Sequence, residues 1–256
     1  MSAPSVQRHA GASEQGRERA HNEDRWSADD DLGLYVVSDG MGGGPAGELA
    51  SEIVVRALPA LFAERFDPGV RAIRARGATA VMQAALAQLS RQLRDGSRAR
   101  PGLAGMGATA VVALVRDGAA LIAHIGDSRA YQWRAGRRLR LLTGDHSLAQ
   151  VLIDAGEITR LQAAAHPGRA QLTRHVGMDG EALPDTRRIT LQPGDRLLLC
   201  TDGLTGVLAD ARLQTMLDQH HDPHSACRAL VDAAQDAGSG DDVTALVVVH
   251  EEPGGA

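Results

Sequence analysis

Two hydrophobic rhythms alternate along the chain, and the places where one gives way to the other divide it into elements. Leu34-Tyr35-Val36-Val37 is an apolar, β-prone run that stops at Ser38-Asp39 and passes into the glycine turn Gly40-Met41-Gly42-Gly43-Gly44. Pro45 suits the first turn of a helix, and Leu49, Ile53, Leu58 and Leu61 repeat along one face, which predicts a helix over 45–65. A second helix is predicted over 71–94, with Asp67-Pro68-Gly69 as the break. Beyond a Gly/Arg-rich loop, the runs Ala108–Val115, Ala119–Ile125, Ala130–Arg134 and Arg138–Leu142 read as strands. Their short turns, such as Arg116-Asp117-Gly118, make the pairing antiparallel. Residues 145–180 read instead as short helices in a polar insert, namely His146–Ala155, Thr159–Ala165, the His166-Pro167-Gly168-Arg169 segment and Leu172–Val176. Such an insert between strands is placed as a lid. Strands Arg187–Leu191 and Asp195–Cys200, a helix from Gly203 to Leu217, a helix capped by Asp222-Pro223 and running to Ala237, and a strand over 243–250 complete the pattern. The tail 251–256 is expected to fray.

Helices 45–94 and 204–237 thus flank runs of antiparallel strands. One sheet under one helix layer leaves apolar strand faces uncovered, whereas two sheets packed face to face, with helices outside both, bury them all. The expected fold class is α+β: a four-layer αββα sandwich of two mainly antiparallel sheets flanked by helices, with a small helical lid insert. The 256 residues contain no internal repeat and no long linker, so a single domain over 1–256 with a core from about 6 to 250 is expected.

Composition removes several function classes. All 27 basic residues are arginine, and without lysine there is neither a Walker-type phosphate loop nor a Schiff-base nucleophile. A net charge of −5 leaves no footprint for nucleic acid. Hydrophobic content is 43%, yet no apolar run approaches the ~20 residues of a membrane span. The start, Met1-Ser2-Ala3-Pro4-Ser5, has no basic or apolar leader region, and a cytoplasmic location is expected. Cys200 and Cys227 lack metal-motif spacing and read as buried small hydrophobes.

The candidate chemistry lies where strands end. Aspartate is a poor strand former, yet Asp39, Asp127 and Asp202 each close an apolar run, and Asp241-Asp242 opens the last one. If these ends converge, several carboxylates share one small volume and cannot all stay ionised without compensation. A hard divalent cation bound through oxygen is the economical compensation. Taken singly, each site reads equally well as a tight turn. Glu23-Asp24, beside the chain's single asparagine Asn22, reads on its own as a solvated charged turn, and Asp29-Asp30-Asp31 as a hairpin loop.

In order, however, these residues resemble the metal-dependent protein phosphatase family of type 2C, especially its compact bacterial members. The resemblance runs from about Arg8 to Val249. It rests on Arg19-x-x-Asn22-Glu23-Asp24, Asp39-Gly40-Met41-Gly42-Gly43 with Ala46-Gly47-Glu48, Gly107-Ala108-Thr109 and Gly126-Asp127-Ser128-Arg129. It continues through Leu142-Thr143-x-Asp145-His146-Ser147, His166-Pro167 with Leu172-Thr173-Arg174, Thr201-Asp202-Gly203 and Gly240-Asp241. It implies an αββα sandwich, in agreement with the layer argument. It also implies a serine/threonine phosphatase that hydrolyses phosphoserine and phosphothreonine by attack of a water bridging two Mn²⁺ or Mg²⁺ ions. By the same resemblance Asp39 bridges the metals, the Gly40 carbonyl is a further ligand, and Asp202 and Asp241 join Asp39 on one of them. Glu23 and Asp24 serve the other. Asp127, with Asp202, holds a weaker third ion, and Arg19 receives the substrate phosphate, for which a guanidinium fork is well shaped.

Three departures stand out: Gly44 where bacterial relatives often carry histidine, Asp242 where the family has asparagine, and Ala170 where the lid often has asparagine. An extra acid at 242 puts metal ligation there in question. The general acid is unassigned, with His146 and His166 in suitable regions. Arg160, Arg169 and Arg174 of the lid are placed to meet a phosphopeptide. Cysteine-phosphatase, Gly-Asn-His and aspartyl-phosphate signatures are missing from the string. The competing readings are a non-catalytic phosphoprotein-binding relative, which predicts lost ligands, and a stress-regulator-type serine phosphatase. The family further implies phosphorylated proteins and a Hanks-type serine/threonine kinase as partners, and a monomer is expected.

Overall fold

The structure is a computed structural model and describes residues 7–42, 45–66, 76–163 and 165–251. In chain order it contains β1 (Gln7–Glu14), β2 (Asp24–Asp29), β3 (Leu34–Met41), α1 (Pro45–Ala63), α2 (Arg76–Arg98), β4 (Gly107–Ala108), β5 (Ala110–Arg116), β6 (Ala119–Ile125) and β7 (Arg129–Trp133). Then follow β8 (Arg140–Leu141), α3 (Leu148–Asp154), α4 (Arg160–Ala163), β9 (Asp185–Thr190), β10 (Arg196–Cys200), α5 (Asp202–Thr205), α6 (Asp210–Gln219), α7 (Pro223–Asp236) and β11 (Val243–His250). One sheet has the order β1-β11-β10-β7-β8, and the other β2-β3-β5-β6-β9 with β4 paired to β3.

Strand alternation explains the layers. In β3, β5 and β6 one parity (Leu34, Val36, Val112, Leu114, Leu121) packs outward among the apolar residues of α1 and α2. The other parity (Tyr35, Val37, Val111, Ala113, Ile122) meets Leu197, Leu199, Leu246 and Val248 of the opposing sheet. That opposing sheet turns Leu198, Cys200, Ala245 and Val247 to α5, α6 and α7. Central strands covered on both faces therefore read as nearly continuous apolar runs. The result is the α+β four-layer sandwich expected. No helix of the described residues is long and apolar enough to cross a membrane.

The structure corrects several element boundaries. Strands β1 and β2 were not predicted, because QRHAGASE and DRWSAD carry almost no apolar rhythm; β1 is an edge strand that buries only Ala12. The helix expected from Gly203 to Leu217 is two helices, since Leu208 turns back into the core and Asp210 starts a new one. Leu172–Val176 is not helical: Leu172 bridges Ser147 and Val176 bridges Ala108, which ties the insert to β4. The strand at Arg138–Leu142 contracts to the two residues of β8. The Asp67-Pro68-Gly69 break, the first residues of the helix predicted over 71–94, and Gly44 lie outside the described residues. Both cysteines are buried and free, as expected.

Candidate active site

The acidic residues meet because strand ends from both sheets lie together. Hairpin β2–β3 sets Asp24 directly opposite Asp39. Where β3 runs out, the Gly40 amide donates to the Glu23 carbonyl (3.1 Å). Glycine is required there because a Cβ on Gly40 would lie 2.0 Å from the Gly47 carbonyl oxygen, and one on Gly47 would lie 2.2 Å from Glu23 Oε2. The start of α1 is thereby pressed against Glu23 and the end of β3.

Hydroxyl side chains sew the ends together. The Asp39 amide donates to Thr109 Oγ1 (2.9 Å), the Thr109 amide returns to the Asp39 carbonyl (2.8 Å), and Thr109 Oγ1 lies 2.7 Å from Ser128 Oγ, next to Asp127. From the other sheet, Thr201 Oγ1 donates to Asp24 Oδ2 (2.8 Å) and accepts from the Thr244 amide (3.0 Å). These roles of Thr109, Ser128 and Thr201 escaped sequence reasoning, although Ser128 and Thr201 each stand beside a strand-end aspartate in the sequence. Glu48 is held by Arg25, whose Nη2 donates to Glu48 Oε1 at 2.6 Å.

Electrostatics confirm the convergence. Burial holds the Asp39 carboxyl well above the usual carboxylate range, and the charges of Asp24, Asp202, Asp127 and Asp241 push it further. Burial also pushes Asp24 up to about 8, although Thr244 and Thr201 pull the other way. Asp127 rises to about 8 through burial and then the charge of Asp202, and Asp202 rises through burial and then the charge of Asp241. Asp24 Oδ1 and Asp202 Oδ1 are buried with no hydrogen-bond partner. Bare carboxylate oxygens, mutual repulsion and a donor set of oxygen alone fit a hard divalent cation.

The remaining residues sort by what they touch. Arg19 Nη2 lies 2.6 Å from the Asp241 carboxylate, at the edge of the cluster and still partly open to solvent. Asp242 adds its charge to those acting on Asp24 and also ties backbone: its Oδ1 accepts from the Gly16 amide (2.8 Å) and its Oδ2 from the Glu23 amide (2.7 Å). His146 Nδ1 accepts from the Gly126 amide (3.1 Å), its ring stacks on His124 at 4.6 Å, and burial first, then His124, pushes it down to about 4. His166 Nδ1 accepts from the Gly168 amide (3.0 Å). Both histidines hold backbone of the 145–180 insert and its neighbour. Arg174 pairs with Asp185 (2.9 Å), and Arg160 and Arg169 are among the residues that line a cavity beside the 145–180 insert.

This fold, with an acidic, oxygen-only centre and a guanidinium at its edge, defines a phosphoprotein phosphatase. The chain belongs to the protein phosphatase 2C family, whose model matches residues 11–240. It is 33% identical over 241 residues to the serine/threonine phosphatase stp of Listeria monocytogenes, covering 93% of this chain and 94% of that protein. The crystal structure of the Mycobacterium tuberculosis serine/threonine phosphatase PstP/Ppp superposes with a TM-score of 0.82 at 34% identity, covering 96% of this chain and 100% of that one. A catalytic domain of PstP solved in complex with two manganese ions is 31% identical, with a TM-score of 0.79 and coverage of 96% and 99%.

Proposed function

We propose that this chain hydrolyses phosphoserine and phosphothreonine esters in proteins at a divalent-metal centre formed by Glu23, Asp24, Asp39, the Gly40 carbonyl, Asp202 and Asp241, with Asp127 and Asp202 holding a weaker third ion. The observation that carries the reading is the buried carboxylate cluster, whose charges and unpartnered oxygens need a cation. Asp39, on which the charges of Asp24, Asp202, Asp127 and Asp241 all act, would be the central carboxylate holding such ions. The manganese-bound PstP relative supports Mn²⁺, with Mg²⁺ as the alternative. When bound, such ions activate water and neutralise phosphoryl oxygens.

The protein's own groups do the rest. Arg19, at the edge of the cluster beside Asp241, would offer its fork to the substrate phosphate and fix its orientation. The threonine and glycine contacts hold Asp24 and the backbone at Asp39 and Gly40 in place before substrate arrives, which favours preorganisation. No cysteine takes part, since Cys200 and Cys227 are buried and burial pushes both thiols up to about 12. We infer that this chain acts as a monomer in the cytoplasm on phosphoproteins made by a Hanks-type kinase; the family membership supports the phosphoprotein substrate.

The test is phosphopeptide hydrolysis by EDTA-stripped protein, with and without added Mn²⁺, for the wild type, Asp39→Ala and Asp127→Ala. Activity should vanish on stripping and return with Mn²⁺ in the wild type. Asp39→Ala should lose tight metal binding and turnover together. Asp127→Ala should keep the tight ions yet lose about tenfold in turnover, a barrier rise on the order of 1.4 kcal/mol. Full activity of stripped protein would overturn the metal mechanism.

A further inference from the structure

Asp127 is carried on the segment Gly126-Asp127-Ser128-Arg129, and residues 145 and 146 grip that segment at both ends. At one end Gly126 and His146 exchange two bonds. The His146 amide donates to the Gly126 carbonyl (3.0 Å), and the Gly126 amide donates to His146 Nδ1 (3.1 Å). At the other end Arg129 Nε and Nη2 donate to Asp145 Oδ1 (2.8 Å) and Oδ2 (2.6 Å). Gly126 itself has a φ of +106°, and a Cβ there would lie 2.6 Å from Thr109 Cγ2, so the backbone is also confined on its inner side.

The His146 side chain is buried, and its bond to Gly126 assigns the tautomer. A backbone N–H needs a lone pair, so Nδ1 is bare and the proton of the neutral ring sits on Nε2. Burial first, and then His124, hold the ring in its neutral form. Nε2 makes no well-formed hydrogen bond, and Asp185 Oδ2 at 3.3 Å is the charge that faces it, with Arg174 paired to the same carboxylate. An acceptor on that side favours Nε2–H and with it the Nδ1 lone pair. His124, His146 and Asp185 also bring ligand atoms within 4.8 Å of one another, a spacing that suits a transition metal. The tautomer speaks against one, because a protonated Nε2 has no lone pair to give.

We propose that His146 is a positioning residue for the weaker third ion: by accepting from the Gly126 amide it fixes the backbone that aims the Asp127 carboxylate. Asp185 supports it by holding the tautomer. The inference rests on the assignment of that ion to Asp127 and Asp202.

The experiment is calorimetric Mn²⁺ titration of the full chain as wild type, Asp127→Ala, His146→Leu, His146→Asn and the double variant of Asp127→Ala with His146→Leu. Asparagine keeps an acceptor near the Nδ1 position, whereas leucine fills more of the space and has none, so packing alone predicts the opposite order of effects. His146→Leu should raise the Kd of the Asp127-dependent class by about fivefold or more, and His146→Asn by less than about twofold, with the tight class unchanged in both. Added to Asp127→Ala, His146→Leu should change the Mn²⁺ titration no further. Nitrogen NMR of histidine-labelled, EDTA-stripped wild type should show a bare Nδ1 and a protonated Nε2 on His146, a reading that depends on no variant folding. A proton on Nδ1 would overturn the proposal. So would unchanged weak binding in His146→Leu, or a larger loss in His146→Asn than in His146→Leu. Absence of any Asp127-dependent class in the wild type would instead overturn the third-ion assignment, and the positioning role with it.

Discussion

Asp242 and Asp241 are neighbours in sequence with opposite duties. Asp241 faces the cluster and Arg19, while Asp242 spends both oxygens on the backbone amides of Gly16 and Glu23. Carboxylate is apt for the second duty, because two N–H groups need two acceptors, and an asparagine would present its NH₂ to one of them. Asp242 is therefore a clamp on the segment carrying Glu23 and Asp24, while its charge also adds to the repulsion on Asp24. Asp242→Ala should lower the stability of stripped protein by about 2 kcal/mol, since it leaves two buried amides unpaired. Urea unfolding in EDTA measures this, and a midpoint equal to wild type would refute the clamp.

Elements place the site as firmly as residues do. The α1–β3 junction admits only glycine at 47, so Gly47→Ala should drive a methyl into Glu23 Oε2, destabilise the fold by about 1–3 kcal/mol and weaken Mn²⁺ binding. A control is Asp222→Ala, which removes the N-cap of α7 (Asp222 Oδ2 accepts from the Ser225 amide at 2.9 Å) at a cost of about 1 kcal/mol. It should leave Mn²⁺ affinity untouched; calorimetric titration of both variants distinguishes the two effects. The central elements were legible because strands buried on both faces, such as β5, β6, β10 and β11, write long apolar runs that end visibly at Asp127, Asp202 and Asp241. Strands β1 and β2 were not, because edge pairing with β11 and β3 fixes them while their own residues stay half exposed. Glu23 and Asp24 consequently read as a solvated turn on their own, and became site candidates only through the family pattern. The hydroxyl bridges of Thr109 and Thr201 were hidden for a different reason: their partners lie 70 and 177 positions away in sequence, and only sheet pairing brings them together.

At the scale of the whole molecule, the sandwich gathers like charges at one end and leaves their repulsion to be offset by bound cations. Stability should record this. Asp24 and Asp127 titrate near 8 in the folded protein, against an ordinary carboxylate value near 4 when unfolded. Between those values the folded state binds more protons than the unfolded one, so stability falls as pH rises. The contribution is fully present below about pH 4 and is lost as pH climbs through about 8, with a slope of up to ~1.4 kcal/mol per pH unit for each proton. Cations that compensate the cluster remove this dependence and favour the ionised carboxylates. The decisive measurement is the unfolding free energy of EDTA-stripped protein from about pH 5 to about pH 8, repeated in excess Mn²⁺. The account predicts stability that declines towards pH 8 in the stripped protein, and a decline abolished or reversed by Mn²⁺. Stability of the stripped protein that is flat or rises over that range, and is indifferent to Mn²⁺, would contradict it.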